Sequence, residues 1–345
     1  MYSIGKAQLV SISSYAGARK DYVQGGGGNT SVKFDDRLMA IKASGYTLEE
    51  ITPEKGYVTV DYQKILNYYN TVNTAENKDF EKESLEESLS SVVLLPGMEN
   101  KRPSVEVGFH AFLGKCVLHT HAVYANILFC SEEGEDIAIK ALKGKGLGYV
   151  YIPYIDPGFR LALAIKRATD DYLKQNGVAP SLIFLGNHGM IAHGDTAEET
   201  VAAHEAACNA IREYLGLDDF PTPMIRKTAD GFASDTAYLR SFFARSGADE
   251  AFFERLRLYP DQLVYLGGKM GNSIQLRDGE ILYKTGEKEA QVIEETLLGV
   301  VYVIDMISRT GLTLKQMDEK GADFINNWES EKYRSQLIKA GTEYK

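Results

Sequence analysis

Cysteine is scarce in this sequence. There are three in 345 residues, Cys116, Cys130 and Cys208, an odd total with no CxxC spacing. That excludes a disulfide framework and a thiolate-built zinc site. All three lie in apolar stretches and read as buried thiols of a reducing compartment, so the cytoplasm is the expected location. Long apolar runs are missing too: none approaches the ~18 residues of a membrane span. The opening MYSIGKAQLVSIS has neither a long apolar core nor a cleavage pattern, so no leader is expected. Positive charge is in deficit, with 38 Lys and Arg against 48 Asp and Glu, a net charge of −10. The basic residues are dispersed, so neither nucleic acid nor an anionic membrane surface is the expected partner. A phosphorylated small molecule remains open, because it needs only a local anion site. Histidine is also rare, with six in the chain, so where each one stands is informative.

What is present is an ordinary enzyme-like balance, 44% hydrophobic and 25% charged, over a length that suits one large domain or one domain with a smaller partner. The first 20 residues read as a helix with apolar positions at Ile4, Leu9, Ile12 and Tyr15. VQGGGGNTSVKF is a glycine run leading into a strand. LMAIKASGYTLEEI reads as strand, turn at Ser44-Gly45, and a helix start with Thr47 and Glu50 in capping-box spacing. Residues 70–92 are acidic and polar, a surface loop with a short helix. FRLALAIKRATDDYLKQNG is an amphipathic helix stopped by Gly177. SLIFLGNHGMIAHG is strand, turn, strand, and Thr196 with Glu199 opens a helix to about residue 215. Pro221 and Pro223 mark a boundary between a segment 1–220 and a second one, 224–345. The second carries a hairpin around Asp278-Gly279, a strongly apolar helix, and a charged helical end around Trp328.

Two histidines share the run CVLHTHAVYANILF. On a strand, residues i and i+2 face the same way, so His119 and His121 can converge while Thr120 faces away. Alone this is half a metal site. Asn187-His188-Gly189 adds a third imidazole in a tight turn, and three neutral histidines leave an open position on a bound ion. Glu106 precedes a short helix with Pro103 and Ser104 before it. GGGGNTS offers bare backbone N–H groups suited to an oxyanion or phosphate.

The order GGGGNTS (25–31), KASG (42–45), RPSVEVGFH (102–110), HTHA (119–122) and NHGMIAHG (187–194) resembles the class II aldolase/adducin family over about residues 1–215. It is also similar to the aldolase portion of rhamnulose-1-phosphate aldolase/dehydrogenases and to fuculose-1-phosphate aldolases. The resemblance implies a layered α/β fold with a largely antiparallel central sheet flanked by helices. Residues 224–345 would then be a smaller α/β accessory domain. It implies a divalent metal, usually zinc, on His119, His121 and His188, with Glu106 as the acid/base carboxylate. It places the substrate phosphate on Gly28, Asn29, Ser44, Gly45 and Ser104. It further implies a homo-oligomer, commonly a tetramer, and a phosphorylated sugar as substrate.

Such a site suits retro-aldol cleavage of a ketose 1-phosphate to dihydroxyacetone phosphate and an aldehyde. A metal stabilises the enediolate, Glu106 moves protons, and the phosphate supplies binding energy away from the reacting bond. Two alternatives stand beside it. One is 4-epimerisation of a pentulose phosphate, or decarboxylation of a keto-acid phosphate, on the same metal. The other is an adducin-like binding protein without turnover, against which all three histidines count. The sequence departs from the family at PSVE, where Val105 replaces a second serine, and in a glycine run longer than usual. His110 is expected to orient neighbours, His193 to lie at the surface or behind the site, and His204 to be structural. Tyr149, Tyr151 and Tyr154 are candidates to reach across an interface. Residues 224–345 contain no dinucleotide fingerprint, and are expected to shape the pocket or the oligomer.

Overall fold

The apolar runs in the first two-thirds of the chain pair into a sheet that is covered on both faces. The structure, a computed structural model, describes residues 2–327 apart from positions 99 and 278. The elements begin α1 (Tyr2–Gly17), β1 (Asn29–Lys33), β2 (Leu38–Lys42), β3 (Tyr57–Asp61), α2 (Tyr62–Thr71), α3 (Phe80–Ser90), α4 (Val107–Phe112), β4 (Cys116–Thr120) and α5 (Val123–Phe129). They continue α6 (Gly134–Ala141), β5 (Tyr149–Ile152), α7 (Phe159–Asn176), β6 (Leu182–Leu185), β7 (Gly189–Gly194) and α8 (Ala197–Leu215). After Pro221 and Pro223 come β8 (Ile225–Thr228), β9 (Gly231–Ser234), α9 (Ala237–Ser246), α10 (Glu250–Arg255) and α11 (Pro260–Leu266). The last elements are β10 (Ile274–Arg277), β11 (Glu280–Tyr283), α12 (Glu287–Arg309) and α13 (Glu319–Asn327). The expected helix around Trp328 and the hairpin residue Asp278 lie outside the described residues.

Seven strands form one sheet in the order β3-β2-β1-β4-β7-β6-β5. Neighbours are antiparallel except the pair β5–β6 at one edge, which is parallel. This is the helix-flanked, largely antiparallel α/β layering that the sequence resemblance implied. Successive strand residues point to opposite faces, and here both faces are buried. On β6, Ile183 and Leu185 join a cluster with α2, α4 and α7, while Leu182 and Phe184 join one with α5 and α8. That is why the middle strands read as continuous apolar runs rather than as alternating ones.

Local signals mostly do what their chemistry asks. Gly177 ends α7 in the left-handed conformation, φ 73°, where a side chain would be strained. Thr47 and Glu50 make the capping contact, with the Thr47 N–H donating to Glu50 Oε2 at 2.7 Å, but only a single 3-10 turn follows. At α8 the Thr196 hydroxyl accepts from the Glu199 N–H at 3.1 Å, and Glu199 Oε2 accepts from the Asp195 N–H at 3.0 Å, one residue earlier than a strict box. Thr196→Ala removes that acceptor and is expected to cost about 1 kcal/mol. Urea unfolding would show it as a lower midpoint at unchanged slope, and an unmoved midpoint would mean the cap contributes nothing. Of the apolar positions on α1, Ile4 is exposed, and Leu9 and Ile12 carry the packing.

Residues beyond the two prolines build a second sheet, β10-β11-β9-β8, all antiparallel. α12 is buried around almost its whole circumference, the signature of a helix at the centre of a structure. It packs on α5, α9 and α11 and on the small sheet. One apolar cluster consequently runs from Tyr22, Val123 and Ala207 through Leu239 and Tyr283 to Val300 and Met306. Among the described residues, no helix is long and apolar enough to cross a membrane.

Candidate metal centre

Strand register brings three distant stretches to one place. Asn29, at the start of β1, pairs with His119 on β4, and His119 pairs with Ile191 on β7. GGGGNTS, HTHA and NHGM therefore meet at one end of the central strands. β4 stops at Thr120, and His121 lies just past it, still on the same side as His119. Thr120 does face away, bonding through its hydroxyl to His204 Nε2 at 2.7 Å.

His119, His121 and His188 are all buried, and each offers a nitrogen within 4.8 Å of the others. His119 Nε2 and His121 Nε2 are 3.2 Å apart. Glu106 joins them, with Oε2 3.5 Å from His119 Nε2 and Oε1 3.4 Å from His188 Nε2. The far nitrogens of two rings are engaged. His119 Nδ1 meets the Met190 carbonyl at 3.0 Å, and His121 Nδ1 meets Asp261 Oδ2 at 2.5 Å. With the protons on those Nδ1 atoms, two Nε2 lone pairs face one another across 3.2 Å, an arrangement that a cation between them relieves. Burial, partly opposed by the Glu106 charge, pushes the His119 pKa down to about 4, so the ring is neutral and able to ligate at ordinary pH. Tetrahedral zinc with arms of about 2.0–2.1 Å sets donor–donor edges of about 3.3 Å, close to the separations here. Glu106 Oε1 is buried with no hydrogen-bond partner, a carboxylate oxygen turned toward the imidazoles. The donor set fits a divalent cation.

Around this centre lies a polar relay. The Asn29 amide donates to Glu106 Oε2 at 2.7 Å and to Ser104 Oγ at 3.1 Å. His110 Nε2 bonds Asn29 Oδ1, and His110 Nδ1 bonds Ser31 Oγ at 2.7 Å. His110 orients a neighbour, as expected, and burial holds its pKa well below the usual imidazole range. His193 sits at the far end of β7, opposite Val117, and is buried there, accepting from the Gly114 N–H at 3.2 Å. The three tyrosines turn into their own chain: Tyr151 stacks on Phe129, Tyr149 meets the edge of Phe184, and Tyr154 packs against Gly321.

The centre opens on a narrow cleft lined by Gly28, Asn29, Ser44, Gly45, Ser104, Val105 and Glu106. Every residue expected around the phosphate is thus on that wall. Gly28 has φ 68°, and a Cβ there would strike the His119 carbonyl, so the backbone passes where a side chain has no room. Among the other lining residues, Lys42, Pro260 and Asp261 had not been singled out. Lys42 lies within KASG and is 5% exposed, and a lysine facing a cleft from a buried strand was a legible signal. Asp261 left none, standing 140 residues from His121. A larger cavity of about 270 Å³ adjoins the cleft and shares Ser44, Ser104 and Val105, but holds none of the histidines and not Glu106.

Residues 7–215 match the family model of the Class II Aldolase and Adducin N-terminal domain. The chain belongs to this family. A curated relative from Bacillus subtilis (strain 168), "Uncharacterized oxidoreductase YuxG", is 27% identical over 205 residues, 56% of this chain and 27% of that protein. The chain therefore spans about a quarter of that relative's length. Among solved structures, the N-terminal class II aldolase domain of a conserved protein from Thermoplasma acidophilum is 27% identical, with a TM-score of 0.49 over 60% of this chain and 92% of that one. An L-fuculose 1-phosphate aldolase is 22% identical, with a TM-score of 0.41 over 61% of this chain and 84% of that one. The family match ends at α8, so α9 to α13 and the small sheet stand outside it.

Proposed function

We propose that this family member is a divalent-metal-dependent aldolase, with zinc the preferred ion. It cleaves a ketose 1-phosphate to dihydroxyacetone phosphate and an aldehyde. The observation that carries the reading is the meeting of His119, His121, His188 and Glu106 within a few ångströms at the base of a cleft. An ion held by the three imidazoles would supply Lewis-acid polarisation of the substrate's carbonyl and adjacent hydroxyl oxygens.

The chain's own residues do the rest. Glu106 carries the proton between the substrate hydroxyl and the carbon beside the carbonyl. Its Oε2 is fixed by the Asn29 amide, which leaves Oε1 to exchange the proton. Gly28, Asn29, Ser44, Gly45 and Ser104 form the anion-binding wall, where backbone N–H groups and short hydroxyls suit a phosphate. Lys42 lines the same wall. Remote phosphate binding then helps hold the reacting carbons in register with Glu106. A homo-oligomer is expected, with a tetramer favoured.

The test is release of dihydroxyacetone phosphate from a panel of ketose 1-phosphates by zinc-loaded protein. Release abolished by a chelator and restored by zinc is the expected result. Stoichiometric metal with no release from any sugar would transfer the assignment to epimerisation or decarboxylation, which use the same donors. Absence of any bound metal would leave the adducin-like alternative.

A further inference from the structure

The metal-site histidines come from the family portion of the chain, yet two of them are held from outside it. Asp261 is the second residue of α11, and is fully buried. Its Oδ2 lies 2.5 Å from His121 Nδ1. A carboxylate oxygen in that position suits an Nδ1–H donor, and a ring held that way presents Nε2 to the centre. The third glycine of the run explains itself here. A Cβ on Gly27 would collide with Asp261 Oδ2 and crowd His121 Nδ1, so that position must be bare for the carboxylate to reach the ring.

A second contact acts on His188. Its neighbour Asn187 has φ 49°, a left-handed conformation uncommon for any residue but glycine and most tolerable for asparagine. The Asn187 amide donates to two carbonyls of the C-terminal part, Leu258 and Lys315, each at 2.9 Å. Both donors of one side chain thus pin the turn that carries His188. Glu295 on α12 completes the attachment by accepting from the Gly25 N–H at 2.9 Å.

We infer that residues 224–327 are the positioning shell of the metal centre, with Asp261 as the positioning residue that sets the tautomer and aim of His121. The C-terminal part is in this reading a structural requirement of the site. This rests on the metal-site reading above, and the experiment separates the two.

Full-length wild type, Asp261→Asn and Asp305→Asn are compared. Asp305, on α12, bonds Arg245 and Tyr238 at the other end of the C-terminal part, so D305N controls for general loosening. Zinc affinity is read by chelator competition, and the zinc-dependent rise in melting temperature gives a second measure. The expected result is a 10- to 100-fold weaker affinity and a smaller zinc-dependent rise for D261N, with D305N at the wild-type affinity. Equal affinity in D261N and wild type, or equal weakening in both variants, overturns the inference. The imidazole nitrogens of ¹⁵N-histidine-labelled protein give a readout that needs no metal. If wild type binds no zinc, the metal reading fails by itself. The pairing then stands if His121 is protonated on Nδ1 in wild type and not in D261N, and falls if the two spectra match.

Discussion

His119→Ala protein is expected to purify with far less than one divalent ion per chain and to release dihydroxyacetone phosphate at least about a thousandfold more slowly than wild type. Lewis-acid stabilisation of developing charge supplies several kcal/mol, and about 4 kcal/mol corresponds to a factor of a thousand. His119 sits between the other donors, 3.2 Å from His121 Nε2 and 3.5 Å from Glu106 Oε2, so its loss opens the middle of the cluster. Because the ring is fully buried and bonds the Met190 carbonyl, His119→Ala also leaves a cavity and an unpaired acceptor. His188→Ala is the companion variant, removing a donor that lines the cleft. Elemental analysis beside the rate decides the matter. Full metal occupancy with full activity in both variants would remove the triad from the mechanism.

Glu106→Gln is expected to lower kcat by about 10²–10⁴ while the protein stays folded and retains its metal. The amide matches the carboxylate in shape and keeps an oxygen for the Asn29 donor, but it cannot take up a proton. A carboxylate within 3.4–3.5 Å of two imidazoles can also serve as a metal contact, so metal content is measured alongside the rate. A fall in rate at full occupancy assigns the proton transfer to Glu106. An unchanged rate would place the acid/base elsewhere.

Neither variant tests why the site has the shape it does. Asn29 was expected to hold phosphate, and its side chain is instead engaged with Glu106, Ser104 and His110, leaving its backbone on the cleft wall. Asn29 does line the cleft, but residue type alone could not show which of its atoms were already engaged. Val105 lies on the wall shared by the cleft and the larger cavity beside it.

Much of the architecture could be read from local chemistry. Strand alternation placed His119 and His121 on one side and Thr120 on the other, because the two-residue repeat of a strand holds wherever the strand lies. Gly177 as a helix stop and Thr196 as a cap follow from backbone groups within four residues of each other. The three histidines, the glutamate and the glycine run stood out by residue type, and the resemblance to a known family supplied their expected roles.

Asp261 and the clasp on Asn187 belong to the other category. PDQL at 260–263 looks like any helix start, and Leu258 and Lys315 contribute only backbone carbonyls, which no residue identity announces. Their place depends on α12 burying its apolar surface against α5 and α11, an association driven by area rather than by motif, which sets α11 and the segments holding Leu258 and Lys315 beside the candidate centre. Residue type determined which atoms of this protein carry donor lone pairs or a titratable proton. Tertiary packing alone decided which distant groups aim them, because a contact across 140 residues is set by how two apolar faces close, and neither sequence segment encodes that separately.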